Sequence, residues 1–143
     1  MSVIFSRQCE YGLQAVLHLA VKPPGQWTSI RGITKELGIP YHFVGKILQD
    51  LVYKGLLVSQ KGPSGGFALA HPAKDITLLQ IVEAIDGMDL MYTCVMGLKE
   101  CSGKNPCAVH HQWGGLRDKI QHMLANQSIE DMARDTKKGP HKN

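Results

Sequence analysis

Three residues, Gly38-Ile39-Pro40, constrain the middle of this chain more tightly than any others. Glycine enters the left-handed region at no steric cost and so ends a helix. A residue before proline is pushed out of helical dihedrals, and proline itself suits a first helical position. On the N-terminal side Ile30, Ile33 and Leu37 recur at helical spacing, with Thr28 or Ser29 available as cap. On the C-terminal side Phe43, Ile47, Leu48 and Leu51 form the expected buried stripe, leaving His42, Gly45, Lys46, Gln49, Asp50 and Lys54 outward. Two short helices joined in this way are a helix-turn-helix. The polar free face of the second suits insertion into a major groove, where side chains read base edges. An ordinary helical hairpin with a solvated face would carry the same pattern.

The segment after this helix pair favours the DNA-binding form. Leu56 to Gln60 reads as a strand, Lys61-Gly62-Pro63-Ser64-Gly65-Gly66 as a loop, and Phe67 to Ala70 as the returning strand, which together make a wing. A glycine-rich tip with Lys61 allows close approach to a phosphate backbone or a minor groove. The same glycines do not read as a nucleotide loop, because no Gly-Lys-Ser/Thr ending is present and no helix opens from them.

Between Cys94 and His110 the chain gathers three of its four cysteines and a histidine, spaced Cys94-x6-Cys101-x5-Cys107-x2-His110. Thiolates select soft metals and imidazole suits iron and zinc. Structural zinc sites bring cysteines in as tight knuckles, which are missing here. The wide gaps fit a loop that wraps a larger object, as iron–sulfur ligand sets do. Scattered buried thiols are the bland alternative, but Ser102-Gly103-Lys104-Asn105-Pro106 is a run of turn formers that places the thiols in a loop. No N-terminal stretch reads as a secretory signal, so a reducing cytoplasm is expected and disulfides are not. Asn105 and Pro106 read as the N-cap and first residue of a further helix, which would set Cys107 and His110 on one face of its first turn and favour a thiolate at Cys107.

At 143 residues the chain suffices for one domain with an appendage. No apolar run reaches the length of a membrane span. The net charge of +4 is unevenly spread, with eight Lys/Arg against three Asp/Glu in residues 1 to 74 and eight against nine in residues 75 to 143. A basic first half suggests a polyanion such as nucleic acid, although a solvated basic face has the same composition. Glu83, Asp86 and Asp89 read as ordinary helix-end acids, and no spacing implies a catalytic pairing.

Ser6 is expected to cap a first helix with Leu13, Val16, Leu17 and Ala20 on one face, Cys9 as a buried thiol and Glu10 as a helix carboxylate. Thr77 and Gln80 form a capping-box pair opening a helix that ends at Asp86-Gly87. Val109, Trp113, Leu116, Ile120 and Met123 recur at heptad spacing. The seam is too short for an isolated coiled coil, so it is expected to pair with a copy of itself while packing on its own domain. Packing on its own domain alone is the simpler alternative. Ser128 is expected to cap a last short helix through Met132, followed by a disordered tail at 137–143.

With these pieces assembled, the chain resembles the bacterial Rrf-type winged-helix transcription regulators of the iron–sulfur-binding branch, over nearly its whole length. The resemblance rests on Ser6-Arg7 with Glu10-Tyr11, on Lys61-Gly62-Pro63-Ser64-Gly65-Gly66-Phe67-Ala68-Leu69, on Ile76-Thr77 through Ile85-Asp86-Gly87, and on the three cysteines. It implies a mainly α fold: a winged helix-turn-helix DNA-binding domain at 1–87, a cysteine-rich cluster-binding loop at 88–105, and a dimerisation helix with a short C-terminal helix at 106–136. Cys94, Cys101 and Cys107 are implied as ligands of an iron–sulfur cluster, with His110 as fourth ligand in the manner of IscR-like members or Glu10 in the manner of NsrR-like members. His110 and a [2Fe–2S] centre are favoured over Glu10 and [4Fe–4S].

The DNA-contacting set is then Ser29, Tyr41, His42, Phe43 and Lys46, with Lys61, Gly62 and Ser64 of the wing. The implied partners are double-stranded DNA with a two-fold symmetric operator and a second copy of the chain, and no membrane. Lys61 stands where the family usually has arginine, keeping the charge but losing the bidentate fork. Gly45 stands where IscR-like members often have glutamate. The function expected is transcriptional regulation sensing iron, redox or nitric oxide status. The alternatives are a cluster-free or zinc-binding thiol switch and a small iron–sulfur redox protein.

Overall fold

The computed structural model describes residues 4–136, and the tail expected to be disordered lies outside them. Its elements, in chain order, are α1 (Arg7–Ala20), α2 (Ile30–Leu37), α3 (Tyr41–Tyr53), β1 (Leu57–Gln60), β2 (Gly66–Leu69), α4 (Leu78–Ile85), α5 (His110–Ala125) and α6 (Ile129–Thr136). The result is a mainly helical winged-helix architecture. No helix among the described residues is long and apolar enough to cross a membrane.

Ser6 caps α1 by accepting from the Cys9 backbone N–H at 3.0 Å. Cys9, Ala15, Val16 and Leu19 are buried, whereas Leu13, Leu17 and Ala20 pack half-buried at the edge of the core. The stripe is thus rotated from the expected one by the demands of two neighbours at once. A Cβ on Gly12 would lie 2.2 Å from Ile85 Cδ1, so α1 and α4 meet where a side chain is missing.

Ser29 caps α2, its Oγ accepting from the Gly32 N–H, and Gly38 leaves the helix at φ 69°. Pro40, expected as the first helical residue, sits one step earlier as the cap of α3, at ψ 132°. The buried face of α3 is Val44, Ile47, Leu48 and Leu51. Phe43, expected in that stripe, is 40% exposed, and Val44 takes its place. The facing residues of α1 and α2 select the row centred on Ile47 and Leu48, and Phe43 falls outside it.

β1 and β2 pair antiparallel with Leu57 opposite Leu69 and Gln60 opposite Gly66, one residue from the expected strand limits. Phe67 anchors the wing by exchanging backbone hydrogen bonds with Thr28, at 3.1 and 2.9 Å. The wing is thereby tied to the residue that precedes the α2 cap.

Both halves of the Thr77–Gln80 capping box are made, at 2.9 and 3.2 Å. At the other end of α4, Asp86 accepts from the Ser6 N–H at 2.9 Å and from the Ser6 hydroxyl, joining α4 to α1. Leu78 N–H bonds to Gln127 O and Ile129 N–H to Ile76 O, which returns the chain to the domain. The short last helix runs on to Thr136, past the expected stop at Met132, and packs on α1 with Ile129 and Ala133 buried. On α5, Leu124 is buried and Ile120 packs against the core, while Leu116 and Met123 of the heptad row remain about half exposed.

Candidate metal centre and nucleic-acid interface

The segment after α4 makes one short turn, Asp89–Met91, which buries Met91, and then loops out to Val109. Its root is clamped. Trp113 Nε1 donates to Thr93 O at 3.0 Å and Arg117 Nη1 donates to the same carbonyl at 3.3 Å, so α5 holds the residue next to Cys94. Ser102 and Asn105 close a tight turn on each other, with Ser102 Oγ accepting from the Lys104 and Asn105 N–H groups. Asn105 is therefore engaged in this turn and does not cap a helix. α5 begins at His110, three residues later than Cys107, and the expected first-turn placement of Cys107 is corrected to a turn in which the His110 N–H meets Cys107 O at 3.2 Å.

These constraints bring the sulfurs of Cys94, Cys101 and Cys107 within 4.8 Å of one another, the three partly buried. Cys94 Sγ lies 3.7 Å from Cys107 Sγ, and His110 Nδ1 lies 3.2 Å from Cys101 Sγ. Glu10 is not in the group; it lies on α1, 3.9 Å from Arg7. A cavity of about 30 Å³ is lined by Tyr92, Cys94, Cys101, Cys107, His110, Trp113 and Arg117. On the outer side, Cys101 and Cys107 border an open depression of about 480 Å³ with Leu98, Lys99 and Glu100.

The backbone N–H of Leu98 is the largest influence on Cys94; with the Met96 N–H and the other two thiols it outweighs burial and brings the thiol down to about 7. At Cys101 the Cys107 N–H also favours the thiolate, but burial and the neighbouring thiols outweigh it and the thiol is raised.

This donor set fits a soft metal centre. Two thiolates on one tetrahedral metal with bonds of ~2.3 Å lie about 3.8 Å apart, close to the Cys94–Cys107 separation. Arg117 Nε, on a residue lining the same cavity, is buried without a hydrogen-bond partner among the described residues. An unpaired buried donor beside three sulfurs is suited to an anionic group held there.

On the other face, Tyr41, His42, Phe43 and Lys46 stand exposed along the first half of α3, and Lys61, Gly62 and Ser64 stand exposed on the wing. Ser29 is exposed too, but its Oγ serves the α2 cap. The wing needs its glycines: Gly66 has φ 146°, and a Cβ there would lie 2.3 Å from Thr28 O. The His42 and Phe43 rings are 4.6 Å apart, and Phe43 meets Tyr11 of α1 at 6.2 Å.

Sequence reasoning passed over Trp113 and Arg117 as loop clamps. Their spacing of four on one helix was visible, but the carbonyl they share lies on a loop whose path spacing does not give.

The family model described as "Iron-dependent Transcriptional regulator", Rrf2, matches residues 5–135. The chain belongs to the Rrf2 family. Among the relatives of this Rrf2 protein, one from Aquifex aeolicus (strain VF5), provisionally named an HTH-type transcriptional regulator, is 33% identical over 132 residues, covering 91% of each chain. The HTH-type transcriptional regulator IscR of Photorhabdus laumondii is 27% identical over 122 residues, covering 85% of this chain and 74% of its own. Among solved structures, CymR, the global cysteine regulator of B. subtilis, superposes with a TM-score of 0.81 at 25% identity, covering 94% of this chain and 99% of its own. These Rrf2 relatives are transcriptional regulators, not enzymes, and they bear out both the resemblance and the winged-helix reading.

Proposed function

We propose that this Rrf2 regulator binds duplex DNA as a cytoplasmic homodimer and carries an iron–sulfur cluster on Cys94, Cys101 and Cys107. His110 is the fourth ligand in this reading, with Glu10 from a second copy as the alternative, and [2Fe–2S] is favoured over [4Fe–4S]. The observation that carries it is the convergence of three sulfurs within 4.8 Å in an otherwise loop-built segment. When bound, the cluster supplies a redox-active, chemically labile centre that responds to iron, redox or nitric oxide status. The protein's own part is to hold the thiolates and to relay their state. Residues 1–87 read DNA, 88–105 form the sensing loop, and 106–136 pair the subunits. The α3 helix of each subunit enters a major groove at one half of a two-fold symmetric operator. The loop joins α4 to α5, so a change in it alters how two α3 helices are spaced. DNA affinity then changes by the difference in free energy between the two arrangements.

The test is an anaerobic absorption spectrum of freshly purified protein with iron and acid-labile sulfide measured on the same sample. Visible absorption with matching iron and sulfide is expected. A colourless protein that stays free of iron after anaerobic reconstitution overturns the reading. A second reading, a cluster-free thiol switch, is favoured by the 3.7 Å Cys94–Cys107 separation and the likeness to CymR. It predicts the disappearance of two free thiols on mild oxidation of that colourless protein.

A further inference from the structure

Phe43 is the large apolar residue that the core of α3 declines, and it does not stand alone. His42 lies against it at 4.6 Å and Tyr11 at 6.2 Å, and the Arg7 guanidinium lies 5.9 Å from the centre of the Tyr11 ring. The four side chains form an unbroken row from the recognition helix back to the first turns of α1. Tyr11, more than Glu10, is the neighbour that favours the charged Arg7. The Arg7–Glu10 contact is long, at 3.9 Å, and 55% of the Arg7 side chain is exposed. Arg7 is thus a half-exposed cation held in place by the Tyr11 side chain, chiefly through a hydrogen bond with its hydroxyl.

The row has two ends with different chemistry. At the α3 end it presents a ring whose apolar edge suits a thymine methyl group, and a neighbouring imidazole that donates or accepts at a base edge. At the α1 end it presents a guanidinium, which binds phosphate in a fork. Two steps, of 6.2 and 5.9 Å, lead from the Phe43 ring to the Arg7 guanidinium, a span that fits within the ~12 Å width of a major groove. When the α3 end lies at the bases, the α1 end lies at the groove wall.

We infer that α1 is part of the DNA interface: Arg7 contacts a phosphate at the edge of the groove that α3 enters, and Tyr11 is a positioning residue that fixes Phe43 over one base pair. The inference rests on the reading of α3 as the recognition helix. Rim phosphate contacts contribute affinity and register without sequence information, whereas a buttressed ring at the bases contributes preference.

The experiment selects a preferred duplex from a random-sequence library with the wild-type protein, then measures affinity against salt concentration for Arg7→Gln, Arg7→Lys, Tyr11→Leu, Tyr11→Phe and, as reference, Lys46→Ala. Arg7→Gln is expected to weaken binding to every duplex and to flatten the log–log salt slope by about 0.9 per subunit, about 1.8 for the dimer on its two half-sites, the change that goes with leaving one phosphate in each half-site unneutralised. Arg7→Lys keeps the slope. Tyr11→Leu is expected to keep the slope and lose preference at one base pair per half-site, while Tyr11→Phe, which keeps the ring against Phe43, keeps the preference. Thermal unfolding of each variant confirms that it is folded. An unchanged slope in Arg7→Gln, with Lys46→Ala impaired, overturns the role of Arg7 alone. An unchanged preference in Tyr11→Leu overturns that of Tyr11. If neither Arg7→Gln nor Lys46→Ala affects binding, the placement of α3 in the groove falls as well.

Discussion

Cys9 has no exposed surface, and burial, followed by the nearby Asp86, pushes its thiol up to about 12. Cys94, by contrast, is brought down to about 7 by backbone N–H donors. Since the thiolate is the nucleophile, metal-free protein treated with iodoacetamide at neutral pH is expected to take up three carbamidomethyl groups with Cys94 first, and a fourth only after denaturation. Mass spectrometry of the native protein showing four adducts would contradict this burial. At this scale the sequence was informative where the deciding contact is local. Cys9 falls on the buried side of an amphipathic turn, so its burial was readable. That Asp86, nearly eighty positions away, lies beside it was not. Phe43 and Val44 were exchanged for a related reason: adjacent residues on a helix differ by one step in facing, and the choice between them belongs to the helices opposite.

Among the elements, the wing is the one most tightly specified by backbone geometry. At Gly62 a Cβ would meet open space, but φ is 107°, so Gly62→Ala is expected to cost about 1–2 kcal/mol through strain alone. At Gly66 a side chain would also collide with the Thr28 carbonyl and break the bridge between wing and α2. Gly66→Ala is therefore expected to lose more stability than Gly62→Ala in chemical denaturation and to weaken DNA binding with it; equal losses would show that the bridge does not matter. The elements themselves were largely legible because their signals are short-range: Ser6, Ser29, Gly38 and the Thr77–Gln80 pair cap or end their helices as their positions suggest. The start of α5 was not, because Asn105 and Pro106 have the chemistry of a helix opening while Asn105 is already bound in the Ser102 turn.

For the molecule as a whole, the exposed row on α5 is the seam of the proposed dimer. Leu116 and Met123 each leave about half of their surface to water, on a helix whose Leu124 is buried in its own subunit. A Leu116→Glu, Met123→Glu double variant is expected to be a folded monomer by sedimentation equilibrium where the wild type is expected to be a dimer, with DNA affinity reduced about tenfold or more because, in the proposed complex, one half-site is left unread. A variant that keeps the wild-type mass moves the interface elsewhere. The heptad spacing showed which residues share that row. It gave no hint that α6 would fold back on α1, since that contact joins elements more than a hundred residues apart and leaves no periodic trace. Its consequence reaches into how the protein is made. A nascent chain presents α1 well before α6, so the face of α1 that α6 covers stays open until α6 has been made. Domains generally fold as units once their residues are available, and here the unit closes only once α6 is available. A prematurely terminated product lacking α6 therefore exposes apolar surface for proteolysis rather than competing with the intact regulator for its operators.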